Sequence, residues 1–244
     1  MTRNHPAAHG TDLARILEAH RRYLESERRD GTRADLRGVD LSQMSLVAAD
    51  LRRARLAHAR LDGADCDGAN LQKANLVGAS LRGVGLRQAD LSKARLSGAQ
   101  LAAADLTGAR LDQADMEFAQ LAEAKLSGAY LCDADLSGAN LAAADLSGAD
   151  LQRANLRGAD LRDARLDGAN LREARLGGAI LSGASLRACD LRQAYLRVAK
   201  LDGADLSGAD LREVTGLTPA QIGSIRRDDR TRFSPVPGLG GDDG

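Results

Sequence analysis

From Leu36 to Leu211 a leucine falls on every fifth residue without a slip of phase, and of these 36 positions only Cys66 and Met116 are not Leu. Two residues earlier the chain almost always has Ala, the exceptions being Val39, Met44, Val84 and Cys189; Val214 holds the same place after Leu211. This period excludes both common secondary structures. On an α-helix five residues turn about 500°, so successive leucines would step about 140° apart and surround the cylinder. On a strand an odd spacing puts alternate leucines on opposite faces. A chain that turns one corner every five residues points every Leu at a common axis, and four such sides close a coil of about 20 residues, within the range of solenoids.

The motif is A-(D/N)-L-x-x, seen in Ala139-Asn140-Leu141, Ala149-Asp150-Leu151 and Ala209-Asp210-Leu211. In this the chain resembles the pentapeptide repeat proteins. The resemblance implies a right-handed quadrilateral parallel β-helix, an all-β solenoid with Leu and Ala inside. Thirty-six repeats make about nine coils, a tube roughly 43 Å long at a strand spacing of about 4.8 Å. Leu36, Leu126, Leu211, Cys66 and Met116 are expected in its core. With two Phe, three Tyr and no Trp, the chain lacks the large aromatic anchors of an ordinary globular core.

The flanks read differently. Residues 1–10 are polar and expected to be disordered. Over 11–31 Thr11 is a candidate N-cap, and Leu13, Ile16, Leu17, His20 and Leu24 recur at helical spacing, with Arg15, Glu18, Arg22 and Glu25 opposite and Gly31 at the end. This helix is expected to cover the first coil of the repeat at 34–214. Thr218-Pro219-Ala220-Gln221 reads as a capping box with Pro at the first helical position, opening a short helix within a C-terminal cap at 215–232 whose Ile222 and Ile225 would lie over the last coil. From Phe233 to Gly244 the Pro- and Gly-rich composition predicts a flexible tail.

Numbering the sides from those of Leu36, Leu41, Leu46 and Leu51, glycine occupies 16 of the positions two after the Leu, where a turn of positive φ favours it. The fourth side has none there. It carries Arg53, Lys73, Lys93, Gln113, Asp133, Arg153, Glu173, Gln193 and Glu213, which predicts a different turn on this side. The candidate interaction surface is Arg53, Lys73, Lys93 and Arg153, with the outward aromatics Tyr130 and Tyr195.

Chemical signatures are absent from the pattern. The 14 Asp and five Asn just before the Leu positions are read as Asx residues that bond nearby backbone in tight turns. Four histidines, His5, His9, His20 and His58, gather no metal or catalytic set. Glycines spaced by five belong to corners and make no phosphate loop; acyltransferase β-helices run on six residues. The expectation is therefore no enzyme, no cofactor and no metal. Cys66, Cys132 and Cys189 fall on separate positions of the register and are expected as reduced thiols, Cys132 on the surface. No apolar run or leader-like segment is present, so the chain reads as cytoplasmic with no membrane association.

Charge bears on partners. Net charge is zero overall, and the repeat carries 23 basic against 25 acidic residues. No side forms a basic stripe, which argues against direct nucleic-acid binding. The resemblance implies a further alternative: some members resemble duplex DNA, bind DNA gyrase and other type II topoisomerases, and protect them from inhibitors. A 43 Å mimic would display about 25 uncompensated negative charges, and a net of −2 with Arg55, Arg95, Arg110 and Arg175 in Asp positions breaks any acidic track. The favoured reading is a non-enzymatic scaffold or protein-protein interaction module, monomeric or a lateral homodimer.

Overall fold

The computed structural model describes residues 10–27 and 29–234. Between them the chain winds in steps of 20 residues. Every fifth residue bridges in parallel to the one a coil further on, from Asp35↔Arg55 through Asp105↔Lys125 to Tyr195↔Thr215. The bridges are single residues, because each side is one paired residue followed by a two-residue corner. The solenoid is thus built from isolated β-bridges, with almost no strand long enough to name.

Backbone carbonyls take four of the pentapeptide's five N–H groups. The Leu N–H donates to the carbonyl 19 residues on, as Leu126 to Asp145 at 2.6 Å; the residue two after it does the same, as Gly128 to Ser147 at 2.9 Å. The following Ala donates back to the Leu carbonyl, closing the corner, as Ala129 to Leu126 at 3.0 Å. The next residue donates to a carbonyl 21 residues back, as Tyr130 to Ala109 at 2.9 Å. The N–H just after the Leu is left, and where an Asx precedes the Leu its side chain takes it: Asp90 Oδ1 accepts from Ser92 at 2.9 Å and Asn140 Oδ1 from Ala142 at 3.1 Å. Where that position is Ser80, Gly85 or Ser185, an Asp of the previous coil substitutes, with Arg82, Arg87 and Arg187 donating to Asp62, Asp67 and Asp167. Buried backbone groups need partners, so the Asx column is structural.

Inside, Leu and Ala form one continuous core: Leu36 and Leu126 are buried, as are Leu211, Cys66 and Met116. Helix α1 (Gly10–Glu25) packs Leu13, Ile16 and Leu17 against this core. It begins at Gly10, so Thr11 lies inside the helix and is not its N-cap. Outside, Arg21 pairs with Glu18 and Glu25 at 2.8 and 2.7 Å. His20 is fully buried, its Nδ1 accepting the Ala34 N–H at 3.1 Å and its ring stacked 6.0 Å from that of Tyr23; burial pushes its pKa down. The helix stops at Glu25, six residues before Gly31. That glycine serves a different purpose: at φ 77° it rests against the α1 backbone, where a Cβ would lie 2.3 Å from the Ala19 carbonyl oxygen.

The repeat does not end cleanly at Val214. Thr215 still pairs with Tyr195, Arg226 with Asp205 and Arg232 with Asp210, so the spacing opens from 20 to 21 to 22 residues. Helix α2 (Pro219–Ser224) occupies the interruption, with the expected capping box: the Thr218 side chain accepts the Gln221 N–H while the Gln221 side chain accepts the Thr218 N–H. Gln221 Nε2 also donates to the Leu196 and Ala199 carbonyls of the coil beneath. Leu217, Ile225 and Phe233 pack on the core. Phe233 corrects the boundary drawn there for a tail: β1 (Asp210–Leu211) and β2 (Arg232–Phe233) pair in parallel, and Ser234 Oγ accepts the Glu213 N–H at 2.6 Å. The expected tail from 235 and the N-terminal stretch 1–9 lie outside the described residues. Among the described residues no helix is long and apolar enough to cross a membrane.

Candidate functional site

The fourth side is held by the bridge column Asp50, Asn70, Asp90, Arg110, Tyr130, Asp150, Asn170, Asp190 and Asp210, which stacks Arg53, Lys73, Lys93 and Arg153 in one row three residues along. The different turn expected here is not found. Arg53 has φ 63°, Lys73 58°, Lys93 60°, Gln113 58° and Glu213 60°, in the same range as Gly63 at 64° on the second side. The physical reason is the ladder: the N–H of Arg53 donates to the Gln72 carbonyl at 2.8 Å just as that of Gly63 donates to Arg82 at 2.9 Å. A corner locked to the next coil takes its φ from that bond, whatever residue sits there. Each non-glycine residue in this left-handed region costs about 1 kcal/mol. Gln113→Gly, at a corner whose side chain is exposed, should therefore raise stability by roughly 0.5 kcal/mol, read as a rise in melting temperature.

At some corners glycine also makes room for a neighbour, whereas at others, such as Gly68, Gly98 and Gly148, a Cβ would meet nothing within 4 Å. A Cβ on Gly63, Gly78, Gly108 or Gly138 would strike the side chain of Gln43, His58, Gln88 or Phe118, each lying across the corner of the coil above. On the fourth side long chains follow long chains and meet end to end: Arg153 donates to Asp133 through Nε and Nη2, both at 2.8 Å, and Gln193 Nε2 to Glu213 at 2.7 Å. Arg153 holds the Asp133 carboxyl below the usual range.

Beside this row Asp and Arg pair within a triplet. Asp50 with Arg52, Asp190 with Arg192 and Asp210 with Arg212 make short ion pairs of 2.6, 2.5 and 2.5 Å across one Leu. The same carboxylate accepts the Arg backbone N–H through its other oxygen, as Asp210 Oδ1 does from Arg212 at 3.2 Å. Arg212 and Arg192 depress the carboxyl pKa of Asp210 and Asp190. By contrast, among the described residues no ion pair engages Arg53, Lys73 or Lys93.

Tyr130 is 51% exposed at mid-tube, with the Arg110 guanidinium 5.9 Å from its ring centroid. Tyr195 is not brought to it; it stands on the first side between Arg175 and Thr215, half-buried against Gly177. Cys132 is half-buried and no open surface thiol: its Sγ donates to Asp150 at 3.1 Å, and burial with the Asp150 contact pushes its pKa up to about 12. Cys66 and Cys189 are buried free thiols.

The family profile described as Pentapeptide repeats matches in eight overlapping copies, the first over residues 32–65 and the last over 179–215. The chain belongs to that family. Among solved structures it is similar to HetL, a pentapeptide repeat protein involved in heterocyst differentiation regulation from the cyanobacterium Nostoc sp. strain PCC 7120. They share 34% identity over 87% of this chain and 92% of that one, with a TM-score of 0.50. It is also similar to QnrB1, a plasmid-mediated fluoroquinolone resistance protein, at 17% identity over 83% of this chain and 92% of that one and a TM-score of 0.41. No curated protein sequence matches.

The surface of this pentapeptide repeat protein carries several depressions. One of about 700 Å³ lies on the fourth side and is lined by Lys73, Lys93, Arg110, Cys132 and Asp133. Another, of about 820 Å³, lies at the C-terminal end and gathers Arg187, Arg192, Arg212, Arg230 and Arg232. Four of its arginines are already held, by Asp205, Asp190, Asp210 and Asp228, so it offers an anion little free charge. This cluster was missed in the sequence; its signal was the triplet Asp-x-Arg, legible once side chains flanking one Leu are known to share a face. Among the described residues no group of three or more His, Cys, Asp or Glu is placed to hold a metal.

Proposed function

We propose that this pentapeptide repeat protein is a non-enzymatic scaffold that presents its fourth side to a protein partner. In this reading the coils form a right-handed quadrilateral β-helix of about nine turns, α1 and α2 cover its two ends, and the protein works in the cytosol. The observation that carries the proposal is the row from Arg53 to Glu213: charges and amides, exposed from Lys73 onward and half-buried at Arg53, on corners fixed by the coil ladder, with Lys73 and Lys93 free of acidic partners and Tyr130 open beside them. A surface already ordered costs little entropy on association, and exposed aromatic and Arg side chains are the usual anchors. HetL, similar over most of both chains, is named for a part in regulation, which agrees with a role in binding. The Asp-x-Arg pairs weigh against the alternative of a topoisomerase-binding DNA mimic, because they neutralise the Asp column from within.

Tagged protein expressed in its source cells tests this. Lys73→Glu with Lys93→Glu should abolish capture of whatever protein the wild type retains, and Glu123→Lys on the second side should leave it intact. Equal capture by all three would refute the reading, and relief of quinolone inhibition of gyrase by the wild type would favour the mimic.

A further inference from the structure

The fourth side is electrically directional. Counting Arg and Lys as +1 and Asp and Glu as −1 over its three outward positions, its first two coils carry +2 and its last two −1. The other sides, taken in order from that of Leu36, run from +1 to +2, from −1 to 0 and from −2 to 0. Reversed end for end, the exposed row complements itself. Arg53, the one half-buried member, falls opposite Glu213, Lys73 opposite Gln193, Lys93 opposite Glu173 and Gln113 opposite Arg153; Asp133, at the centre, meets its own copy.

From this we infer that the partner of the fourth side is a second copy of the same chain, packed antiparallel about a two-fold axis that crosses the tube at the level of Asp133. The inference rests on the reading of that side as an interaction surface and names its occupant. A two-fold contact must be self-complementary, and the tube allows two arrangements. With the axis along the tube each coil meets its own level, setting Arg53, Lys73, Lys93, Glu173 and Glu213 each against itself. Across the tube the opposite charges meet.

The remaining contacts agree with the crosswise axis. In the bridge column Arg110 falls opposite Asp150, Asn70 opposite Asp190 and Asp90 opposite Asn170. Tyr130, half exposed, meets its own copy on the axis, where a pair of rings supplies an apolar centre to a charged face. The like charges left over are Asp133 against its copy, Asp50 against Asp210 and Arg52 against Arg212, all already neutralised at home: Asp133 by Arg153, Asp50 by Arg52 and Asp210 by Arg212. Lys93 has no acid of its own, and Glu173 has only Arg172 at 3.5 Å, so both have capacity to spare.

One side measures roughly 43 Å by about 10 Å, less than the ~800 Å² per partner of a stable interface. The dimer is therefore weak, and charge-driven contacts across an exposed face are screened by salt.

Sedimentation equilibrium over a concentration series should show a dimer at low ionic strength that dissociates at about 0.5 M salt. Lys93→Glu alone, or Glu173→Lys alone, puts two like-charge contacts into each dimer and should weaken it by roughly tenfold. An equimolar mixture of the two variants pairs each reversed charge with its complement and should restore the wild-type constant. Unchanged melting temperatures would show that both variants fold. A chain that is monomeric at every concentration and salt, or a mixture no tighter than its components, overturns the inference. If in that case Lys73→Glu with Lys93→Glu still abolishes capture of another protein, the interaction surface stands and only its occupant is wrong.

Discussion

Leu126→Asp is expected to destroy the fold at mid-tube. Leu126 is 1% exposed, its N–H bonds the coil beyond, and the core on either side is Leu and Ala with no group to pair a carboxylate. Losing the Leu costs about 2–5 kcal/mol and an unpaired buried charge costs several more, which together match the ~5–15 kcal/mol that holds a domain. Because each coil contacts only its neighbours, the break should propagate, and far-UV circular dichroism and gel filtration should show loss of the compact form. Arg153→Asp is the control. It removes an exposed pair with Asp133 and sets two carboxylates in one row, at under about 1 kcal/mol. Similar melting temperatures for the two variants would contradict the inward placement of the leucine row.

Gly31→Ala should release α1 while leaving the tube intact. At φ 77° an alanine pays about 1–2 kcal/mol for the left-handed conformation, and its Cβ would lie 2.3 Å from the Ala19 carbonyl oxygen and 2.6 Å from the Tyr23 nitrogen. Both atoms are helix backbone and cannot swing aside. The loop must move, taking with it the Thr32 N–H to Ala19 contact of 3.1 Å and the Ala34 N–H to His20 bond. Hydrogen exchange should accelerate across Gly10–Glu25 and at Leu36, with protection retained around Leu126. Undiminished protection of α1 would show that the glycine is dispensable.

Much of this was legible in the residue order. The capping box at Thr218, the stripe of Leu13, Ile16 and Leu17, and the Asx residues as backbone partners all rest on short-range spacing, and each is found in place. What misled was reading the lack of glycine on the fourth side as the lack of a positive-φ corner. Gly108 and Gln113 stand in the same turn at 65° and 58°, and the N–H of each donates to the next coil, to the Ser127 carbonyl at 3.0 Å and the Cys132 carbonyl at 2.9 Å. That turn is set by a bond to the residue 19 positions on, at a distance no local signal spans. The irregular coil from Thr215 to Phe233 escaped notice for a related reason: it has no leucine period, and its pairing with Tyr195, Asp205 and Asp210 exists only because the last regular coil offers free N–H and carbonyl groups.

The leucine on every fifth residue by itself determined the four-cornered coil and its core, since only a chain turning at that interval buries all of Leu36 to Leu211 on one axis. It determined the stacking into columns as well, and so which residues share the fourth side. Tertiary structure alone decided the backbone and the free charge of that side. The ladder to the next coil, and not the residue at the corner, fixes φ at Arg53, Lys73 and Lys93. Pairing across one Leu then consumes Arg52, Arg192 and Arg212 while leaving Lys73 and Lys93 exposed, because an arginine beside an Asx turn reaches its carboxylate and a lysine at the corner points away from it.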